Sequence, residues 1–193
     1  MPHNRSCIAG AHYDRSVRAV RVLLLACALV ALAACEQRSA AMGCNISVTQ
    51  DLALSGSGAQ ETITARAIGP SCDKAVGLYA IHDAEGHPAW AWATPLPRAF
   101  GDAFADADEE VVRDFLTEWA RPRLATTQAA PAWDALTPGQ TTLDRLTYDD
   151  IRARDLPMLC HASGTVRELC VFWEPAAGGA GLYYERDVEE TTE

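Results

Sequence analysis

The chain has 193 residues, 49% of them hydrophobic and 22% charged, a composition that suits a folded domain and excludes a disordered or collagen-like polymer. With 26 acidic against 16 basic side chains the formal charge is -10. That excludes nucleic acid as the main partner, because phosphate recognition needs a basic face.

The first segment reads as a delivery signal. Arg15, Arg18 and Arg21 make a positive lead, and Val22 to Leu32 is an apolar run of eleven residues. A bilayer-spanning helix needs about 20 residues, so this run has the length of a signal segment instead. Leu32-Ala33-Ala34-Cys35 closes it. That sequence resembles the lipobox of bacterial lipoproteins: a Leu, two small residues and a cysteine whose thiol takes up diacylglycerol. The resemblance covers the first fifth of the chain. It implies cleavage before Cys35, acylation (palmitate among the chains) at that residue, and attachment to the cell envelope. Two or three acyl chains make such an anchor stable where one is marginal. Glu36 stands where an Asp would favour inner-membrane retention, so the resemblance implies the outer membrane, facing the periplasm. The organisation expected is a signal over 1–34, a lipidated tether over 35–43, one periplasmic domain over 44–187 and an acidic tail over 188–193.

Removal of 1–34 takes four arginines and one aspartate, leaving 159 residues with 12 basic and 25 acidic side chains, net -13. Such a chain can bury about 70% of its unfolded surface, enough for a core. Four cysteines follow Cys35: Cys44, Cys72, Cys160 and Cys170. An even count in an oxidising compartment reads as two disulfides. Ile46, Val48, Leu52 and Leu54 share one face of a strand, Ser55-Gly56-Ser57-Gly58 is a turn, and Thr62 to Ile68 returns. Folding about position 58 puts Cys44 opposite Cys72. Leu156 to His161 and Val166 to Glu174 flank a turn at Ser163-Gly164-Thr165, which puts Cys160 opposite Cys170.

Between these hairpins, Val76 to Asp83 and His87 to Thr94 read as strands about an Ala84-Glu85-Gly86 turn, ended by Pro95 and Pro97. Asp106 to Trp119 reads as a helix, with Asp106 and Glu109 at capping-box spacing and an apolar stripe of Val111, Val112, Phe115, Leu116 and Trp119. Pro122 stops it. Residues 123–140 read as a loop, Leu143 to Asp155 as a short helix and Leu182 to Arg186 as a last strand. The expected fold is α+β: mostly antiparallel β-hairpins packed on one amphipathic helix, with two disulfides.

Several clusters bear on chemistry. His82, Asp83, Glu85 and His87 surround a tight turn and offer weak metal candidates in His82 and His87, yet Asp-x-x-Gly is ordinary turn chemistry. His82 and Asp83 point to opposite faces of a strand, so few of the four donors converge. Ser163 lies close to His161 without a nucleophile elbow, and triads are assembled across a fold rather than between sequence neighbours. Cys160 beside His161 has a disulfide partner at hand. Glu168, Glu174, Asp144 and Asp149 carry no specific spacing among so many acids. Trp90 and Trp92 share a strand face that either joins the core or, with Trp173, presents a binding surface. No catalytic residue and no cofactor is expected. The leading expectation is a membrane-anchored lipoprotein with a non-catalytic binding or structural role, its membrane contact made through Cys35. One alternative is an inhibitor of a basic envelope-degrading enzyme such as lysozyme, since the negative charge would steer it to a basic envelope protein. The other is a periplasmic hydrolase or metal enzyme using His82 and His87.

Overall fold

The structure, a computed structural model, describes residues 43–56 and 60–188. The signal, the lipobox with Cys35, nearly all of the tether and most of the acidic tail lie outside them. Among the described residues, no helix is long and apolar enough to cross a membrane.

The first sheet is an antiparallel meander of β1 (Cys44–Leu52), β2 (Glu61–Gly69), β3 (Val76–His82) and β4 (Pro88–Pro95), in that order. Two helices follow, α1 (Leu96–Phe100) and α2 (Glu109–Trp119). The second sheet is again a meander: β5 (Arg123–Thr126), β6 (Pro157–Gly164), β7 (Arg167–Glu174) and β8 (Gly179–Asp187), with α3 (Arg145–Ala153) between β5 and β6. This is the expected α+β arrangement of antiparallel hairpins on an amphipathic helix, with the strands divided between two sheets.

Side-chain alternation builds two cores. In β2 the odd residues Ile63, Ala65 and Ala67 are fully buried, and in β3 so are Tyr79 and Ile81. They meet Val112, Leu116 and Trp119 of α2, and Leu159, Leu169 and Val171 of the second sheet. The opposite face of the second sheet, with Met158, Cys160 and Cys170, packs on Tyr148 and Ile151 of α3. A bulge in β8 opposite Cys170 and Val171 lets two consecutive residues, Tyr183 and Tyr184, enter that same core.

Both expected disulfides are present. Cys160 and Cys170 are directly opposite across β6 and β7, with Cα atoms 4.0 Å apart. The Cys44–Cys72 bond forms differently from the expected facing pair. Cys44 is opposite Gly69, and Cys72 reaches it from a turn of 3-10 helix at Cys72–Lys74. The register follows from burial. The inner face of β1 carries even residues and that of β2 odd ones, so directly opposed residues must be of mixed parity. A fold about position 58 would have turned Thr62, Thr64 and Arg66 into the core.

Three further expectations need correction. Asp108, not Asp106, caps α2, and its carboxylate accepts from the N–H groups of Glu110 and Val111. Pro95 and Pro97 end β4 but also open α1, because proline suits the first turn of a helix. The loop expected over 123–140 contains β5. The short helix after Leu143 forms as expected, capped by Asp144, whose carboxylate accepts from Thr147 N–H.

The closed loops span 28 residues for Cys44–Cys72 and 10 for Cys160–Cys170. Loop-closure entropy then assigns the first about 3.5 kcal/mol and the second about 2.5 kcal/mol. Urea unfolding of a Cys44→Ala/Cys72→Ala protein is expected to show a loss near the first figure. A loss below 1 kcal/mol would mean that the bond does not constrain the unfolded chain.

Candidate functional site

The two sheets and α2 converge on His161. Its ring stacks on that of Tyr79, with centroids 4.1 Å apart and planes within 14°. Trp90, Trp92 and Trp119 stand around it with centroids at 5.4, 5.6 and 6.0 Å. The placement follows from register. Tyr79 is opposite Trp92 and Ile81 opposite Trp90, so all four point to the inner face of the first sheet. His161 alternates with Leu159 on the inner face of β6. Trp119 closes the stripe of α2, and Gly77 makes room for it: a Cβ there would stand 3.2 Å from two Trp119 ring atoms.

Ala162 ties the assembly together. Its carbonyl accepts from Trp119 Nε1–H at 2.8 Å and lies 2.9 Å from His161 Nδ1. A carbonyl only accepts, so Nδ1 carries the proton and Nε2 is a bare acceptor. Among the described residues neither His161 Nε2 nor the buried Tyr79 hydroxyl has a partner. Burial pushes the His161 imidazole down to about 4, against the opposing pull of the Ala162 carbonyl and the Glu168 charge. The ring is neutral at physiological pH. Burial likewise raises the Tyr79 phenol well above its ordinary value.

Beside this cluster lies an open groove of about 350 Å³. β5 begins at Arg123, opposite Cys160, so beyond that point the edge of β6 has no strand neighbour. Pro122 accounts for the start: it ends the helix segment and has no N–H for a ladder. The last turn of α2 covers the edge instead. Phe115 and Trp119 form one wall, Arg121 and Arg123 another, and His161 and Ala162 the floor. Each arginine is held. Arg121 pairs with Glu118 at 2.8 Å, and Arg123 with Glu168 at 2.6 Å. Glu168 also accepts from Arg186 Nε at 3.0 Å.

The sequence-derived candidates fall as follows. Trp90 and Trp92 are half-buried against the inner core, in contact with His161. His82 ends β3. His87 sits at the tip, where Asp83 accepts from the N–H groups of Glu85 and His87 and its other oxygen lies 3.4 Å from His87 Nδ1. That carboxylate is thereby committed to its own turn. Ser163 Oγ donates to Glu185 at 2.7 Å, while His161 turns to Ala162, so the two make no nucleophile–base pair. Cys160, Glu168 and Cys170 bring three donor groups within 4.8 Å, but the sulfurs are bonded to each other and Glu168 to two arginines. Sequence reasoning did not find the groove, or His161 as the centre of an aromatic cluster. The signal available was the alternation of His161 with Leu159 and of Tyr79 with Ile81.

No protein-family model matches the chain, and neither a curated protein nor a solved structure is similar to it.

The buried imidazole sets an acid limit. Unfolded histidine titrates near 6.5. Between that value and about 4 only the unfolded chain takes the proton, so stability falls as pH drops through this window. The expected loss from this group between pH 7 and pH 4.5 is about 2–3 kcal/mol. Urea unfolding of wild type and His161→Phe at both pH values isolates it. The gap between the two proteins should shift by that amount in favour of the variant at low pH, and a pH-independent gap would show that His161 is not buried neutral.

Proposed function

We propose that the protein is a lipid-anchored envelope lipoprotein with a non-catalytic binding role, held by Cys35 on the periplasmic side of the outer membrane. The partner is a protein that docks in the groove beside His161. The composition of that groove carries the reading. Phe115, Trp119, Arg121 and Arg123 surround an unpaired strand edge. Aromatic and arginine side chains are the types that dominate binding energy at protein interfaces. The commitments of Ser163, His161 and Asp83 to structural partners support a role without catalysis. The membrane attachment rests on Leu32-Ala33-Ala34-Cys35.

The outer face of α2 favours a second reading. Glu109, Glu110 and Asp114 are exposed there, and a surface of this charge steers toward a basic protein such as an envelope-degrading enzyme. Inhibition of lysozyme that weakens with salt, and with Glu110→Lys/Asp114→Lys, would favour that reading.

Two measurements test the first. Cys35→Ala is expected to leave the membrane fraction after carbonate washing, and retention at the wild-type level would end the lipoprotein reading. Cross-linking of the anchored protein in envelopes is expected to give a partner adduct that Arg121→Glu abolishes. An adduct insensitive to that change would remove the groove from the account.

A further inference from the structure

The outer face of the first sheet changes character along its strands. Directly opposed residues point to one side of a sheet, so register defines rows across it. At one end the row is Asn45, Ile68, Val76 and Pro95. At the other it is Asp51, Thr62, His82 and Pro88, beside the Asp83–His87 tip. The first row exposes apolar surface, with Ile68 at 45% and Val76 at 43%. The second is polar in its first three members and ends on the exposed Pro88. The β6–β7 turn meets the apolar end: Thr165 N–H donates to the Ala99 carbonyl of α1, and the adjacent Val166 and Val188 are exposed as well.

The cations show the same asymmetry. Among the described residues seven arginines pair with carboxylates, and Arg152 donates to the Ala130 carbonyl. Arg152, in α3, thus has no carboxylate partner, and the other three cations without one are Arg66, Lys74 and Arg98. Arg66 is one row in from the apolar end and donates to the neutral Asn45 side chain. Lys74 is exposed in the turn that the Cys44–Cys72 bond holds against the start of β1. Arg98 is exposed on α1, which begins where β4 ends. A protein of net charge -10 thus keeps three of the four cations that lack a carboxylate toward one end of the first sheet, with Asp73 as a half-buried acid in the same turn as Lys74.

This is also the end at which the tether joins. Cys44 is nine positions after Cys35, a reach of at most about 30 Å. We infer that the Asn45–Ile68–Val76–Pro95 row, flanked by Lys74 and Arg98, is a membrane-contact surface that seats on the anionic leaflet carrying the anchor. Ile68, Val76 and Pro95 enter the headgroup boundary, and Lys74 and Arg98 meet lipid phosphates. The strands then stand away from the bilayer with the His82–His87 tip outermost. The inference rests on the anchor at Cys35.

Hydroxyl-radical footprinting of the full lipidated protein tests it, on vesicles of phosphatidylethanolamine and phosphatidylglycerol. The comparison is with Lys74→Glu/Arg98→Glu, two exposed sites whose change leaves the core intact. Labelling of Ile68, Val76 and Pro95 is expected to rise several-fold in the variant, with His87 and Leu146 unchanged in both. Mass spectrometry of the N-terminal peptide reports the diacylglyceryl group independently. Equal labelling of the row in both proteins, with the lipid present, overturns the surface and leaves the anchor standing. Absence of the lipid removes the anchor, and the surface with it.

Discussion

A neutral histidine ring stacked on a tyrosine joins two sheets that share no strand. Each sheet pairs its strands in chain order, and among the described residues no ladder hydrogen bond links the two. What holds them together is the shared core, and its aromatic centre is His161 from β6, Tyr79 from β3, the tryptophans of β4 and Trp119 of α2. Such a contact is directional as well as apolar. Aromatic rings prefer particular offsets and angles, and the Trp119 hydrogen bond to Ala162 sets the helix against the free edge of β6. The same cluster therefore places α2, shapes the groove and keeps the imidazole uncharged.

The elements were legible where a short-range signal specified them. The turn at Gly86 with its Asp83 cap, the apolar stripe of α2 and the symmetric Cys160–Cys170 hairpin all follow from local residue order. The register of β1 with β2 needed one more step. Ile63, Ala65 and Ala67 against Thr62, Thr64 and Arg66 tell which face is inner, and that parity, rather than the centre of the glycine-serine turn, decides the pairing. The Cys44–Cys72 bond forms as expected but by another route, since Cys72 bends back to Cys44 through its own turn. β5 was not legible because its four residues carry no alternation of burial. Its position depends on the edge of β6, which lies more than thirty residues later. The candidate site was hidden for the same reason: its walls come from α2, β5 and β6, and nothing local marks their meeting.

The paired cations explain how so acidic a chain stays compact. Glu168 lies between Arg123 and Arg186, and Glu174 beside Arg154, so cross-strand and strand-to-helix pairs place opposite charges together on the second sheet. Exposed pairs of this kind contribute little stability each. Their greater effect is to consume positive charge where it sits, which leaves the outer face of α2 strongly negative and, besides Arg152, only Arg66, Lys74 and Arg98 among the described cations without a carboxylate.

Cys44–Cys72 has a mechanical consequence for a pull on the chain ahead of β1, such as the proposed anchor at Cys35 would exert. Such a force enters at the first residue of β1, an edge strand paired on one side only. Without the bond, β1 would peel from β2 one ladder step at a time, and each step costs little. The disulfide transfers the load instead to the Cys72–Lys74 turn between β2 and β3, two strands with neighbours on both sides. Peeling then requires β1, β2 and β3 to yield together, and they carry Ile63, Tyr79 and Ile81 of the main core. The bond that constrains the unfolded chain most is thus also the one placed where such a pull would load the domain, while Cys160–Cys170 ties two strands of the second sheet.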